Sequence, residues 1–158
     1  MQDSVKAWDE ASEFTWAVVL GDGQLVGAIA LRRHDFKVDF GYVIGRTYWG
    51  QGIATEALRP LVNWALSQPE VFRAWAVCDV ENTASARVME KVGMIREGVL
   101  RAWMRHPQAG ATPRDCISYS IVKEMGYQAP AQAHAMIVPV GKWNRAAVRE
   151  LDGLDRPA

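Results

Sequence analysis

The stretch Tyr48-Trp-Gly-Gln-Gly-Ile-Ala-Thr-Glu-Ala57 marks the point where the hydrophobic pattern of this chain changes period. Residues 38–44, ahead of it, read as a strand. Behind it, Ile53, Ala57, Leu61, Trp64 and Ala65 recur at helical spacing, which predicts a helix over residues 52–67. Between the two, Gly50, Gly52 and Ala54 alternate, leaving little side chain between the backbone and an approaching ligand. The first N–H groups of a helix have no intrahelical partners and lie at the positive end of its dipole. Together these features make an anion site, of which phosphate is the commonest occupant. Thr55 adds a hydroxyl donor. The stretch is not a nucleotide P-loop, because no Gly-Lys-Ser/Thr follows, and it is not the dinucleotide fingerprint G-x-G-x-x-G. A bare glycine pair reads equally well as a tight turn, so its neighbours decide.

Working outward, residues 14–20 are rich in β-branched and aromatic side chains and read as a strand. Gly21-Asp-Gly23 supplies a hairpin turn, and residues 25–31 return as a second strand. Gly41, in the middle of the third strand, is expected to mark a bulge. Residues 3–12 read as a short helix capped by Asp3 or Ser4. Pro60 is an irregularity that bends the central helix. A short strand follows over residues 72–77. Asn82 caps a helix running to Val92, and Gly93 suits the left-handed position after it. Residues 94–104 and 116–123 read as two long strands joined by a loop with Pro107, Gly110 and Pro113. The order predicts an α+β fold, a mixed sheet with helices around one core. Trp16, Trp64 and Trp75 are assigned to that core; Trp103, near the end of a long strand, reads as core packing ahead of the lining of an acceptor cleft. Beyond Gly126, residues 128–135 look like a linker, 136–140 a strand, and 144–151 a helix capped by Asn144. The domain is therefore placed at residues 1–126 and the tail at 127–158.

Bulk properties exclude several functions. At 158 residues the chain suffices for one domain and not two. Lys plus Arg and Asp plus Glu number 18 each, so no basic field points to nucleic acid or to anionic lipid. Cys78 and Cys116 have no metal-ligand spacing and no partners for a disulfide framework, which fits a reduced, cytoplasmic setting without a metal. The N-terminus is no signal peptide, and no apolar run is long enough to span a membrane.

The quoted loop resembles the acetyl-CoA loop of the GNAT superfamily of N-acetyltransferases, in particular the RimJ/RimL type. Three further blocks agree in order: Asp39-Phe-Gly-Tyr-Val-Ile44 before the loop, Asn82-Thr-Ala-Ser-Ala-Arg-Val-Met-Glu-Lys-Val-Gly-Met94, and Arg114-Asp-Cys-Ile-Ser-Tyr-Ser-Ile121. The resemblance spans roughly residues 14–125. It implies a largely antiparallel sheet flanked by helices, with a V-shaped splay between the central strands. Three departures stand out. Trp49 occupies a position where the broad family has Gln or Arg. Met89 stands where many members carry a proton-donating Tyr. The strand and helix with which the family usually opens are missing before residue 14, and the tail has the shape to supply them, in cis or by exchange with another chain.

The resemblance implies transfer of an acetyl group from acetyl-CoA, as co-substrate, to a primary amine. The acceptor is a protein N-terminus or a small-molecule amine. The competing reading is a GNAT-fold module that binds acyl-CoA without turnover, as a sensor or an assembly module. Trp49, Gly50, Gln51, Gly52, Ile53, Ala54 and Thr55 would hold the pyrophosphate. Tyr42, Val43 and Ile44 would pair with the pantetheine arm and polarise the thioester carbonyl. Asn82 would contact the pantetheine amide, a role compatible with capping. Ser85 would sit near the sulfur as the candidate acid, against the plainer reading of a first-turn hydroxyl. Asp39 is the candidate base acting through water, against a solvated strand carboxylate. Glu56, Glu97, His34, His106 and Asp115 are weaker candidates. Monomer and homodimer both fit.

Overall fold

Side-chain alternation builds one apolar sheet face. In β1 (Glu13–Val19), Phe14, Trp16 and Val18 point one way. The face continues through Ile29 and Leu31 of β2 (Leu25–His34) and through Val38, Phe40 and Tyr42 of β3 (Lys37–Ile44). It runs on through Ala74, Ala76 and Cys78 of β4 (Arg73–Asp79) and Ile117, Tyr119 and Ile121 of β6 (Arg114–Val122). Two helices cover it. α1 (Ile53–Ser67) buries Leu58, Leu61, Val62 and Leu66, and α2 (Thr83–Val92) buries Met89 and Val92. Phe14, Trp16 and Trp64 form a cluster with ring centroids 5.8, 5.9 and 6.2 Å apart, which anchors α1 on β1. Burying each such large side chain contributes about 1.5–3 kcal/mol.

The computed structural model describes residues 12–105 and 110–124, and the backbone of 137–139. With β5 (Ile95–Met104) and β7 (Ile137–Pro139), the strands form one sheet in the order β5-β6-β4-β3-β2-β1-β7. Every neighbouring pair is antiparallel except β3 and β4, whose right-hand partner is reached through the α1 crossover. That parallel pair holds at only three positions, Lys37–Arg73, Val38–Ala74 and Asp39–Trp75. Beyond them the strands part, giving the splay that the sequence led us to expect. β7 lies antiparallel on β1, from Trp16–Pro139 to Val18–Ile137, at the sheet edge where proline is tolerated. The helices expected over residues 3–12 and 144–151, and the linker over 128–135, lie outside the described residues.

Several expectations need correction. Gly41 makes no bulge, because the β2–β3 ladder runs unbroken past its pairing with Ala30. The glycine that the sheet requires is Gly27, where a Cβ would stand 2.3 Å from the Val43 carbonyl oxygen. At Pro60, where the sequence suggests a bend and not a stop, α1 continues to Ser67 as expected. The ring leaves the Glu56 carbonyl without its usual N–H donor, on a turn where Glu56 itself is exposed. Trp75 is not in the apolar core, since alternation turns it to the opposite face beside Asp39. Trp103 is 50% exposed, because β5 is an edge strand with little covering it.

The opposite face is held by a polar clamp. The β5–β6 register shifts between Arg96 and Gly98, so Glu97 is an extra residue turned toward β6 and β4. Arg73 grips it with both guanidinium nitrogens, one at 2.7 Å, and the Ser120 hydroxyl donates to it at 2.7 Å. The guanidinium, and next the Ser120 hydroxyl, hold the Glu97 carboxyl at about 2 against an ordinary 4.5. A depressed carboxyl stabilises the fold above its unfolded value and loses that contribution as pH falls through its folded value. Urea midpoints of the wild type should therefore drop between pH 4.5 and about 2. Glu97→Gln should start lower at neutral pH and run flatter across that window. Parallel profiles for the two proteins would show the clamp to be inert.

Candidate active site

After β3 the chain makes a short 3-10 turn, Arg46–Tyr48, and then two left-handed glycines, Gly50 at φ 76° and Gly52 at φ 82°. Only glycine enters that region without strain. A Cβ at either would meet nothing within 4 Å, so the outer side of the loop is open. The first intrahelical bond runs from Glu56 N–H to the Gly52 carbonyl at 3.0 Å. The amides of Ile53, Ala54 and Thr55 come before it and have no intrahelical acceptor. Trp49 accounts for its own unusual presence. Its indole Nε1 donates to the Ile44 carbonyl at 2.7 Å, and the Arg46 guanidinium lies 5.8 Å from its ring centroid. The indole thus ties the loop to the end of β3.

The loop forms one wall of a pocket of about 460 Å³, within the range of small-molecule sites. Tyr42, Val43 and Ile44 of β3 line it, as do Trp49, Gly50, Gly52, Ile53, Ala54 and Thr55, and Asn82 and Ser85 of α2. Of the cofactor-binding residues expected from sequence, only Gln51 is off the wall, because its side chain folds back to donate to the Thr47 carbonyl at 3.3 Å. The sequence reading missed Tyr48, and on α2 it missed Ala84, Arg87, Val88 and Lys91. The last four stand at i, i+3, i+4 and i+7 from Ala84, one face of α2, which is the signal that would have found them.

Two hydroxyls meet across this pocket. Tyr42 Oη lies 2.6 Å from Ser85 Oγ and also donates to the Ser85 carbonyl at 3.2 Å. Burial pushes the Tyr42 phenol up to about 12, with the Ser85 hydrogen bond partly opposing it. Asn82 caps α2, its Oδ1 accepting the Ser85 N–H at 3.0 Å. The cap uses only the side-chain oxygen, so the amide nitrogen keeps both donors. Met89 does not share the open face of Asn82 and Ser85. It is fully buried against the sheet, four residues past Ser85. Asp39 is likewise not on the pocket wall. It sits buried on the other face of β3, at the last paired position before the strands part. Arg32 holds one of its oxygens, and His34 Nε2 lies 2.5 Å from the other. Glu56 is exposed on the first turn of α1 and absent from the wall. Asp115 accepts the Ala102 N–H at 2.7 Å in the β5–β6 hairpin. His106 lies outside the described residues.

Residues 1–95 match the family described as the acetyltransferase (GNAT) domain. The chain is 32% identical over 127 residues to the uncharacterized N-acetyltransferase YoaA of Bacillus subtilis, covering 78% of this chain and 70% of that protein. It is 33% identical over 110 residues to the putative ribosomal N-acetyltransferase YdaF of the same organism, covering 68% of this chain and 58% of that one. Among solved structures, a GNAT-family acetyltransferase from Bacillus anthracis superposes with a TM-score of 0.61 at 31% identity, over 77% of this chain and 72% of that one.

Gly52→Glu should weaken acetyl-CoA binding about 100-fold or more, because it aims a carboxylate at the phosphate position and strains φ 82°. Titration calorimetry checks this, and an unchanged affinity would remove the loop from the site.

Proposed function

The chain belongs to the GNAT family of acyl-CoA-dependent N-acetyltransferases, and from that footing we propose that it acetylates the α-amino group of a protein N-terminus, in the manner of the RimJ/RimL type. One observation carries the reading. The glycine loop at the start of α1, the unpaired edge of β3 and the Ser85 hydroxyl all open into a single pocket.

Each part has a role in that pocket. Acetyl-CoA supplies the activated acetyl group. The amides of residues 50–55 take its pyrophosphate, and the β3 backbone beyond Asp39 adds to the pantetheine arm as a strand would. A backbone N–H in Tyr42–Val43–Ile44 polarises the thioester carbonyl, a contribution of about 3 kcal/mol for one such donor. Ser85, backed by Tyr42, donates a hydrogen bond to the departing sulfur. A phenol near 12 is a weaker acid than a thiol, at about 8.5. The pair therefore stabilises the thiolate, and the proton it finally takes is the one that leaves the acceptor nitrogen. Before attack, the ammonium form of the acceptor loses its first proton to Asp39 through water. Arg32 and His34 hold this carboxylate in place where β3 and β4 cease to pair. An α-amine, with a pKa near 8, demands less of a base than a lysine near 10.4.

Further features favour this acceptor and setting. The name of the YdaF relative points to ribosomal protein. Cys78 and Cys116 are buried and form no disulfide, which suits the cytoplasm. β7 pairs with β1 of its own chain, which supports the reading that the tail covers this sheet edge in cis.

Ser85→Ala should lower kcat about tenfold or more with little change in KM, and Tyr42→Phe should give a smaller loss of the same kind. Steady-state kinetics on an N-terminal peptide checks both, and unchanged kcat in both variants would leave Ser85 a helix residue only. Asp39→Asn should cost most at low pH, with the deficit shrinking as the amine arrives unprotonated. A deficit independent of pH would make Asp39 structural.

A further inference from the structure

We propose that Arg87 and Lys91 form a receptor for the 3′-phosphate on the ribose of CoA, so that the protein selects CoA thioesters over their dephospho-CoA counterparts. The inference rests on the acyl-CoA reading above and deepens it. Its starting point is an imbalance of charge. The whole chain carries 18 cationic and 18 anionic side chains, yet among the described residues the only charged side chains on the pocket wall are these two cations.

The two stand one turn apart on α2, about 6 Å along the axis, and both face solvent. Neither has a carboxylate partner among the described residues, whereas Arg32, Arg33, Arg73 and Arg114 are all ion-paired. The neighbouring Glu90 turns away to accept from the Tyr119 hydroxyl at 3.1 Å. Lys91 lies in the last turn, where a cation also complements the helix dipole. Arg87 lies mid-helix and has no such explanation. The last turn itself is fixed, because Arg59 Nη2 of α1 donates to the Lys91 carbonyl at 2.6 Å.

The opposite wall makes the pairing chemically specific. The glycine loop holds anions with neutral amides and half a dipole charge, and it carries no lysine of the P-loop kind. That suffices for a pyrophosphate diester. A phosphate monoester is close to a dianion at neutral pH and requires full positive charges. An arginine and a lysine at i and i+4, across the pocket from the pyrophosphate cradle, supply them.

Calorimetry with CoA and with 3′-dephospho-CoA tests this on the full chain. Wild type should bind CoA about tenfold or more tightly than dephospho-CoA, with the difference shrinking as salt rises. R87A/K91A should bind CoA no better than dephospho-CoA, while its affinity for dephospho-CoA stays at the wild-type value. Both side chains are exposed, so the variant's unfolding midpoint should be unchanged. Equal affinity of wild type for the two ligands, or equal weakening of both by the double substitution, overturns the phosphate receptor and leaves the acyl-CoA reading standing. Failure of wild type to bind either ligand overturns both.

Discussion

Three ladder positions join the two halves of this sheet, and the rest of the molecule is arranged around their ending. β5, β6 and β4 form one antiparallel unit, and β3, β2, β1 and β7 form another. They touch as strands only from Lys37–Arg73 to Asp39–Trp75. Past that point the backbone groups of β3 that face β4 have lost their partner. Buried polar backbone does not stay unpaired, so the gap is tolerable only if water or a ligand fills it. α1 and α2 hold the halves together from one side through a common core. The opening is therefore built into the connectivity and does not depend on any side chain within it.

Local features of the site were legible in the sequence for local reasons. Gly50 and Gly52 announce positive φ, Asn82 announces a cap, and Gly93 announces a left-handed stop at φ 103°. Each needs only its immediate neighbours to be understood. What failed depended on distant partners. Tyr42 and Ser85 are 43 residues apart, and nothing in either neighbourhood says that their hydroxyls meet. Glu97 looked unpartnered because Arg73 reaches it from another strand. Gly41 was read as a bulge because a strand glycine usually needs a reason. The splay instead comes from strands that cease to pair. Trp75 and Trp103 were assigned to the core by composition, when the alternation of their strands decides which face they occupy.

The electrostatics of the site follow a division of labour between backbone and side chain. The loop wall is uncharged and conformationally fixed by left-handed glycines and a tethered indole. The helix wall carries charge on long side chains. Fixed amides discriminate by geometry, and mobile cations discriminate by charge and respond to salt. The hydroxyl pair lies between the two in character, with Tyr42 half-buried and Ser85 held by the cap of its own helix.

The pairing of β7 with β1 has a consequence for how the chain comes off the ribosome. Trp16 and its ladder partner Pro139 stand 123 positions apart in the chain. The other antiparallel pairings and the helix packing join segments far closer in sequence, so most of the sheet can assemble during synthesis. β1 cannot be covered on its outer edge until residues 137–139 have emerged. Until then it presents an unpaired row of N–H and C=O groups to whatever strand is nearby, the usual template for wrong association. Closing that edge is the last step of sheet assembly, and it makes the growing chain most vulnerable while its acyl-donor pocket is already in place.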